Sequence, residues 1–283
     1  MIFQEKHHLE AVITDLDGSL FDVETQKISE QDLRTVKRLK TLGIPVFIAT
    51  GRHFEFCIQH AYDMGFDCPT VCSNGAQIYD FEAKQALYED PIPVELVKSI
   101  ENHLFEQKIK FIAYTDVTAF FSKDNPRADF WKRVVDAFEP RFRTTLTYID
   151  ASFPLWDYAV YKFLLPYATP EIDTSIREVF NSQNEMEMTN SAKNFLDINA
   201  KGASKGNALR FLAERYGFDL DHTLAIGDND NDKSMMDICG YPVAPEGAEE
   251  DVKENACFVT ASCGDSPLTR AIQELFPQLL SQK

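Results

Sequence analysis

The sequence predicts an α/β protein: a doubly wound parallel sheet whose chain is interrupted by a separate α+β module. Three observations carry this. The apolar runs Ala11-Val12-Ile13, Ile44-Pro45-Val46-Phe47-Ile48-Ala49 and Leu224-Ala225-Ile226 read as buried strands, and each runs into a polar cluster. Helical patterns lie beside these runs. More than half of the 283-residue chain separates Thr50 from Lys205. A simple crossover needs far less, so a module of its own must occupy that interval.

Along the chain, Ser29 and Asp32 predict an approximate capping box, Leu33, Val36 and Leu39 a helical face, and Gly43 its end. Phe54, Ile58 and Ala61 mark a second helix stopped at Gly65, and Val71-Cys72 leads into the strand-end turn Ser73-Asn74-Gly75. The insertion is placed at residues 82–193, which leaves 1–81 and 194–283 as a discontinuous core. It should open with a helix at Val94–Phe105 and strands at Phe111–Tyr114 and Ala119–Ser122. A helix at Ala128–Phe138, a strand at Tyr158–Leu165, a helix at Glu171–Phe180 and a strand at Glu185–Met188 follow. That mixture suggests helices on one face of a largely antiparallel sheet. The strand Phe195–Ile198 is expected to return the chain to the core, and Arg141–Trp156 takes no assignment. Ser204 reads as the N-cap of a helix with Ala208, Leu209, Leu212 and Tyr216 on one face.

In an open parallel sheet, ligands bind outside the carboxyl ends of the strands, so the polar clusters should meet at one edge. The first cluster is Asp15-Leu16-Asp17-Gly18-Ser19-Leu20. Two carboxylates one residue apart would be costly to bury without a partner. A bound dication removes that cost, and one of the carboxylates could then attack a phosphoryl group. Taken alone, the pair reads equally as a solvated turn. The second strand ends in Thr50-Gly51-Arg52, the third in Gly227-Asp228-Asn229-Asp230-Asn231-Asp232. Lys205 would add positive charge at a helix N-terminus, which already favours anions. A calcium loop starting at Asp228 would need Gly and Glu where Lys233 and Cys239 stand. Gly202-Ala203-Ser204-Lys205-Gly206 lacks the Gly-Lys-Ser/Thr ending of a nucleotide-binding loop.

Together these segments resemble the haloacid dehalogenase-like superfamily of phosphohydrolases, in particular its Cof-type branch (subfamily IIB). The matching residues are Asp15–Leu20, Ala49–Arg52, Ser73–Ala76, Lys201–Leu209 and Gly227–Asp232, in the family's order and spread over nearly the whole chain. The resemblance implies a Rossmann-like core, a cap at 82–193, and Mg2+-dependent hydrolysis of a small phosphorylated metabolite such as a sugar phosphate. It makes Asp15 the nucleophile that becomes an aspartyl-phosphate and Asp17 the acid and base. Mg2+ would be held by the Asp15 carboxylate, the Asp17 carbonyl and Asp228, with Asp232 supporting it directly or through water. Thr50 and the Gly51 amide would bind phosphoryl oxygens, Lys205 would neutralise charge, and Asn231 would orient Lys205 or a phosphoryl oxygen. Arg52 and Asn74 are candidate substrate contacts that read equally as an ion-pair former and a turn residue. Where Cof-type members tend to carry Met-x-Asn-Ala, this chain has Ala244-Pro245-Glu246-Gly247-Ala248.

Composition narrows the partners. The chain carries 45 acidic and 28 basic residues, a net charge of -17, which argues against nonspecific nucleic-acid binding and polybasic membrane contact. No apolar stretch approaches the ~18 residues of a membrane span, and Met1–His8 lacks a signal-peptide core, so a cytoplasmic protein is expected. The six cysteines form no Cys-x-x-Cys pair, and His7-His8 read as surface residues. Neither the oligomeric state nor the substrate is legible. Two other readings stand beside the phosphatase: a phosphomutase with the same nucleophile, and a non-enzymatic phosphometabolite-binding module.

Overall fold

Ala11–Thr14 is a fully buried strand flanked in parallel by Val46–Ala49 and by Thr223–Ile226. Tyr241–Pro245 and Phe258–Thr260 extend the sheet beyond Thr223–Ile226, again in parallel. The three central strands, buried at every position, are near-continuous apolar runs rather than alternating ones, whereas Val259 on the edge strand is exposed. This Rossmann-like α/β arrangement belongs to one of two compact units, comprising Met1–Thr50, Asp63–Pro69 and Lys205–Lys283. The other comprises Gly51–Tyr62 and Thr70–Ser204. The structure, a computed structural model, describes residues 8–65, 67–180, 185–191 and 194–281. His7 and the proposed boundary residue Lys193 lie outside them. Among the described residues, no helix is long and apolar enough to cross a membrane.

In the first unit, helix Glu30–Thr41 starts at Ser29, whose Oγ accepts the Asp32 N–H at 3.0 Å. It ends in a Schellman arrangement: Gly43, at φ +77°, donates to the Lys40 carbonyl and Ile44 donates to that of Leu39. The expected capping box is only half present. The Asp32 carboxylate turns instead to the first turn of helix Pro267–Leu275, accepting the Thr269 N–H at 2.8 Å and its Oγ1 at 2.7 Å. An acidic side chain at that N-terminus satisfies an otherwise orphaned donor. Helix Lys205–Tyr216 buries Ala208, Leu209 and Leu212, but Tyr216, expected on the same face, is 45% exposed.

The second unit contains an antiparallel run, Thr70–Cys72, Gln77–Asp80 and Gln85–Glu89, and a six-stranded sheet. That sheet has the order Thr147–Ile149, Ala119–Ser122, Ile112–Thr115, Val160–Pro166, Phe195–Ala200, Met186–Thr189, with only the first pair parallel. Two expectations are corrected here. Phe195–Ala200 does not return to the parallel sheet; it pairs with Val160–Pro166 on one side and Met186–Thr189 on the other. Helices cover both faces. Val94–Glu106 and Pro170–Phe180 pack on the side of Ala113, Phe163 and Leu165, whereas Ala128–Ala137 packs with Ile112, Tyr114, Phe121 and Leu164. Successive residues alternate faces along a strand, so a strand buried at every position, as Val160–Pro166 is, needs cover on both. Many aromatic residues of this unit fill these cores, and Phe56 stacks on Trp131 at 4.3 Å, whereas Tyr62, Tyr148 and Tyr167 are exposed. The unassigned stretch holds two short 3-10 turns and the edge strand Thr147–Ile149.

Candidate active site

At the end of the central strand, the Asp15 N–H still bonds to the Ile226 carbonyl at 2.8 Å. The chain then curls tightly, with the N–H groups of Leu20 and Phe21 returning to the Leu16 carbonyl. Gly18 sits in this curl at φ +82°, where a Cβ would lie 2.5 Å from Asp228 Oδ2. Both the backbone angle and the space therefore require glycine. Ser19 Oγ donates to Asp228 Oδ1 at 3.3 Å, which ties the first polar cluster to the third.

The third cluster follows Thr223–Ile226. Its 3-10 turn Asp230–Asp232 is closed by a reciprocal capping box between Asn229 and Asp232. Asp232 Oδ2 accepts the N–H groups of Asp228 at 2.9 Å and Asn229 at 3.1 Å. Asn229 Nδ2 donates to Asp228 Oδ2 at 2.7 Å. Asn231 is buried in the same turn, and Asp230 faces outward beside Lys233. The divergent loop after Tyr241–Pro245 supports this turn from the main chain, because the Glu249 N–H donates to the Asp228 carbonyl at 3.0 Å.

Lys205 joins the first and third clusters. Its fully buried Nζ lies 2.5 Å from Asp15 Oδ1 and 2.6 Å from Asp232 Oδ1. The first turn of its helix approaches Ser234 so closely that a Cβ on Gly206 would lie 2.2 Å from the Ser234 carbonyl oxygen, and the Gly206 N–H donates to Ser234 Oγ at 3.1 Å. Ligand atoms of Asp15, Asp228 and Asp232 all lie within 4.8 Å of one another. Asp17 is half-buried, and Thr50 is buried just past the end of Val46–Ala49.

The electrostatics are lopsided: one ammonium faces three carboxylates. Burial pushes Asp15 up to about 7; Lys205 opposes the shift, while Asp232 and Asp17 add to it. Burial, followed by the charges of Asp15 and Asp232, raises Asp228 well above the usual carboxylate range. Burial works against the Lys205 ammonium, but Asp15 and Asp232 outweigh it and hold its pKa above the ordinary lysine value. Such a cluster lacks positive charge. Hard carboxylate oxygens at this spacing fit a divalent cation of the magnesium type, with Asp15 and Asp228 the carboxylates to hold it. Asp228 and Asp232 each carry hydrogen bonds on both oxygens, Asp228 from the Ser19 and Asn229 side chains, Asp232 from Lys205 and the Asp228 and Asn229 N–H groups.

Gly51, Arg52 and Asn74 fall in the second unit. Arg52 is 3% exposed; its guanidinium donates to the Phe56 carbonyl at 3.2 Å, lies 3.1 Å from His60 Nε2 and sits 5.4 Å from the Trp131 ring centre. Asn74 donates through Nδ2 to Asp197 Oδ2 at 2.8 Å and Asn199 Oδ1 at 3.2 Å, so both its amide hydrogens are engaged within the unit. Sequence reasoning missed four contributors: Ser19, Asn229, Ser234 and Lys162. The first two lie inside motif segments, and their polarity was the available signal. Lys162 is a lysine in an apolar strand, whose Nζ donates to the Gly51 carbonyl at 2.8 Å.

Comparison with known proteins bears on the family and the fold. A family model described as haloacid dehalogenase-like hydrolase matches residues 12–272. The chain is 27% identical over 285 residues to a 5-amino-6-(5-phospho-D-ribitylamino)uracil phosphatase of Bacillus subtilis, covering 94% of this chain and 98% of that protein. It is also 27% identical over 272 residues to a pyridoxal phosphate phosphatase of Escherichia coli, covering 95% and 98%. Among solved structures, the subclass IIB sugar phosphatase BT4131 shares the fold with a TM-score of 0.79 at 23% identity, over 94% of this chain and 98% of that one.

Proposed function

Because the chain belongs to the haloacid dehalogenase-like hydrolases, as a Cof-type phosphoric monoester hydrolase, we propose that it hydrolyses a small phosphorylated metabolite through an aspartyl-phosphate on Asp15, with Mg2+ as cofactor. The observation that carries this reading is the buried group of three carboxylates around one lysine. The Asp15 and Asp228 carboxylates and the Asp17 carbonyl would hold the metal, which when bound offsets the repulsion between carboxylate and phosphate and polarises a phosphoryl oxygen.

Lys205 holds Asp15 in its ionised form and aims it. Asp15 attacks phosphorus in line; the ester P–O bond breaks, and Asp17 gives its proton to the departing oxygen. Asp17, now a carboxylate, takes a proton from the water that attacks the aspartyl-phosphate, and inorganic phosphate leaves. Thr50 and the Gly51 amide bind phosphoryl oxygens. Asp232 keeps Lys205 and the Asp228 turn in place, and Asn231 orients Lys205 or a phosphoryl oxygen. Arg52 through Nη1 and Asn74 through Nδ2 hold their loops inside the second unit, and both remain candidate substrate contacts.

The relatives' names suggest phosphorylated cofactor precursors, vitamins or sugars as the substrate class. A panel of such esters, with free phosphate detected in the presence and absence of Mg2+, tests the reading. Metal-dependent phosphate release is expected. Conversion of one phosphate ester into another without free phosphate would mean a mutase, and no turnover of any ester with Mg2+ present would overturn the proposal.

A further inference from the structure

Lys162 is the one residue of the strand Val160–Pro166, V-Y-K-F-L-L-P, that carries a charge, yet it is 1% exposed. An ammonium buried in such a strand is costly unless its donors are used. They are used on two groups far apart in sequence: Asp197 Oδ2 at 2.9 Å and the Gly51 carbonyl at 2.8 Å. The register explains the first contact. Lys162 stands opposite Asn199, and Leu164 opposite Asp197, so Lys162, Asp197 and Asn199 share one face of the sheet.

Two of these side chains, Asp197 and Asn199, also reach the turn Ser73–Gly75. Asn199 Nδ2 donates to the Ser73 carbonyl and the Tyr161 carbonyl, each at 2.9 Å. Asn74 Nδ2 donates to Asp197 at 2.8 Å and to Asn199 at 3.2 Å. Ser73 and Asn74 are successive non-glycine residues at φ +51° and +61°. Such backbone persists only where its surroundings over-determine it, and here the sheet residues do so. The Gly51 loop has the converse need. Glycine is free to adopt many backbone angles, so a phosphate-binding glycine must be held from outside. Peptide planarity means that a grip on the Gly51 carbonyl fixes the Gly51–Arg52 peptide and with it the Gly51 Cα, the pivot from which the Thr50–Gly51 peptide and its N–H extend.

We propose that Lys162, oriented by Asp197, is a positioning residue for phosphoryl binding, gripping the Gly51 carbonyl so that the Thr50–Gly51 loop is preformed when the phosphate arrives. This rests on the proposed role of that loop. Lys162 and Asp197 form a buried ion pair, and its effect on turnover runs through the loop's geometry. Preformed oxyanion sites act without reorganising during reaction, and small misplacements are expensive in rate.

The test uses the full chain with inorganic phosphate as competitive inhibitor in saturating Mg2+. Three variants are compared: Asp197→Asn, the double variant Lys162→Met with Asp197→Asn, and Lys162→Gln. The double variant removes both charges, so it should melt near the wild type but bind phosphate at least ~10-fold more weakly, with KM raised for every ester of the panel. Asp197→Asn keeps the lysine's grip while removing its counter-charge. It should melt lower yet hold phosphate within ~3-fold of wild type. Lys162→Gln, a neutral donor on a shorter arm, should weaken phosphate like the double variant and decides the matter if that variant does not fold. A structural role alone would make affinity follow melting temperature across the series, and that ordering overturns the inference. A wild-type protein that turns over esters, beside a Lys162→Gln variant with unchanged phosphate inhibition, overturns it while leaving the phosphatase reading intact. A wild type that neither turns over esters nor binds phosphate overturns both.

Discussion

Each unit buries a charged cluster, and the two clusters are built on different balances. In the first unit Asp15, Asp228 and Asp232 gather around the single ammonium of Lys205. In the second, Lys162 pairs with Asp197, and amides and carbonyls from Asn74, Asn199 and Gly51 surround the pair. The first cluster is short of positive charge, which shows in the raised pKa values of Asp15 and Asp228. The second pairs an ammonium with a carboxylate. Unbalanced burial prepares a place for a cation and for chemistry; balanced burial fixes shape. Stability pays for the first arrangement, whereas breaking the second should cost stability.

The largest expected effect separates the two clusters by function. Asp15→Asn should fold and lose at least ~10³-fold in turnover, because an amide forms no aspartyl-phosphate. Steady-state phosphate release checks this, and near wild-type turnover would remove the covalent mechanism. The same variant should be at least as stable as wild type without metal, since it deletes a buried charge that has too few partners.

Stability separates them with the opposite sign. Lys162→Met leaves Asp197 buried without its counter-ion, and urea unfolding should show a loss of about 3–5 kcal/mol. A loss of similar size in metal-free Asp15→Asn would erase the distinction drawn here.

Within the first cluster, Asp228→Ala should weaken Mg2+ by at least ~10-fold and regain part of its turnover at high Mg2+. Asp17→Asn should bind Mg2+ almost normally while slowing both chemical steps. Metal titrations that show equal losses in the two variants would exchange their roles.

The smallest effect is a pH dependence. Asp15 has a folded pKa of about 7, above the ~3.9 of an unfolded aspartate. A raised carboxylate leaves stability intact below the unfolded value and reduces it as pH climbs through the folded one. Glu101, on helix Val94–Glu106 in the second unit, is also pushed up to about 7 by burial, against a pull from the Leu155 backbone N–H. Metal-free protein should therefore become less stable from about pH 4 to 7. Mg2+ should abolish the Asp15 part only. Glu101→Gln should abolish the remainder, and thermal melts across that range would show whether either part is missing.

The two regions were unequally legible in the sequence. The first cluster is written in short segments at strand ends, where local pattern points to Asp15, Asp228, Asp232 and Lys205, which the structure brings together. The second depends on register between strands distant in sequence. Nothing in Phe195–Ala200 states that it joins Val160–Pro166, so the strand was assigned to the wrong sheet. Two signals were present and went unread. The near-continuous apolar run of Val160–Pro166 implied cover on both faces, and a lysine inside it implied a buried partner. The Asp32 carboxylate was likewise expected to cap its own helix, because the Thr269 N–H it serves lies in a helix at the other end of the chain.

The central claim is that the first cluster is built to take a divalent cation and the second is not. Its most direct measurement is the thermal melting of metal-free protein at pH 7.5 as Mg2+ is added, in wild type, Asp228→Ala and the Lys162→Met, Asp197→Asn double variant. Ligand that binds only the folded state raises the melting temperature with its concentration. The account predicts a rise of similar size in wild type and the double variant, and little or none in Asp228→Ala at the same Mg2+. A melting temperature that ignores Mg2+ in the wild type, or rises as far in Asp228→Ala, would contradict it.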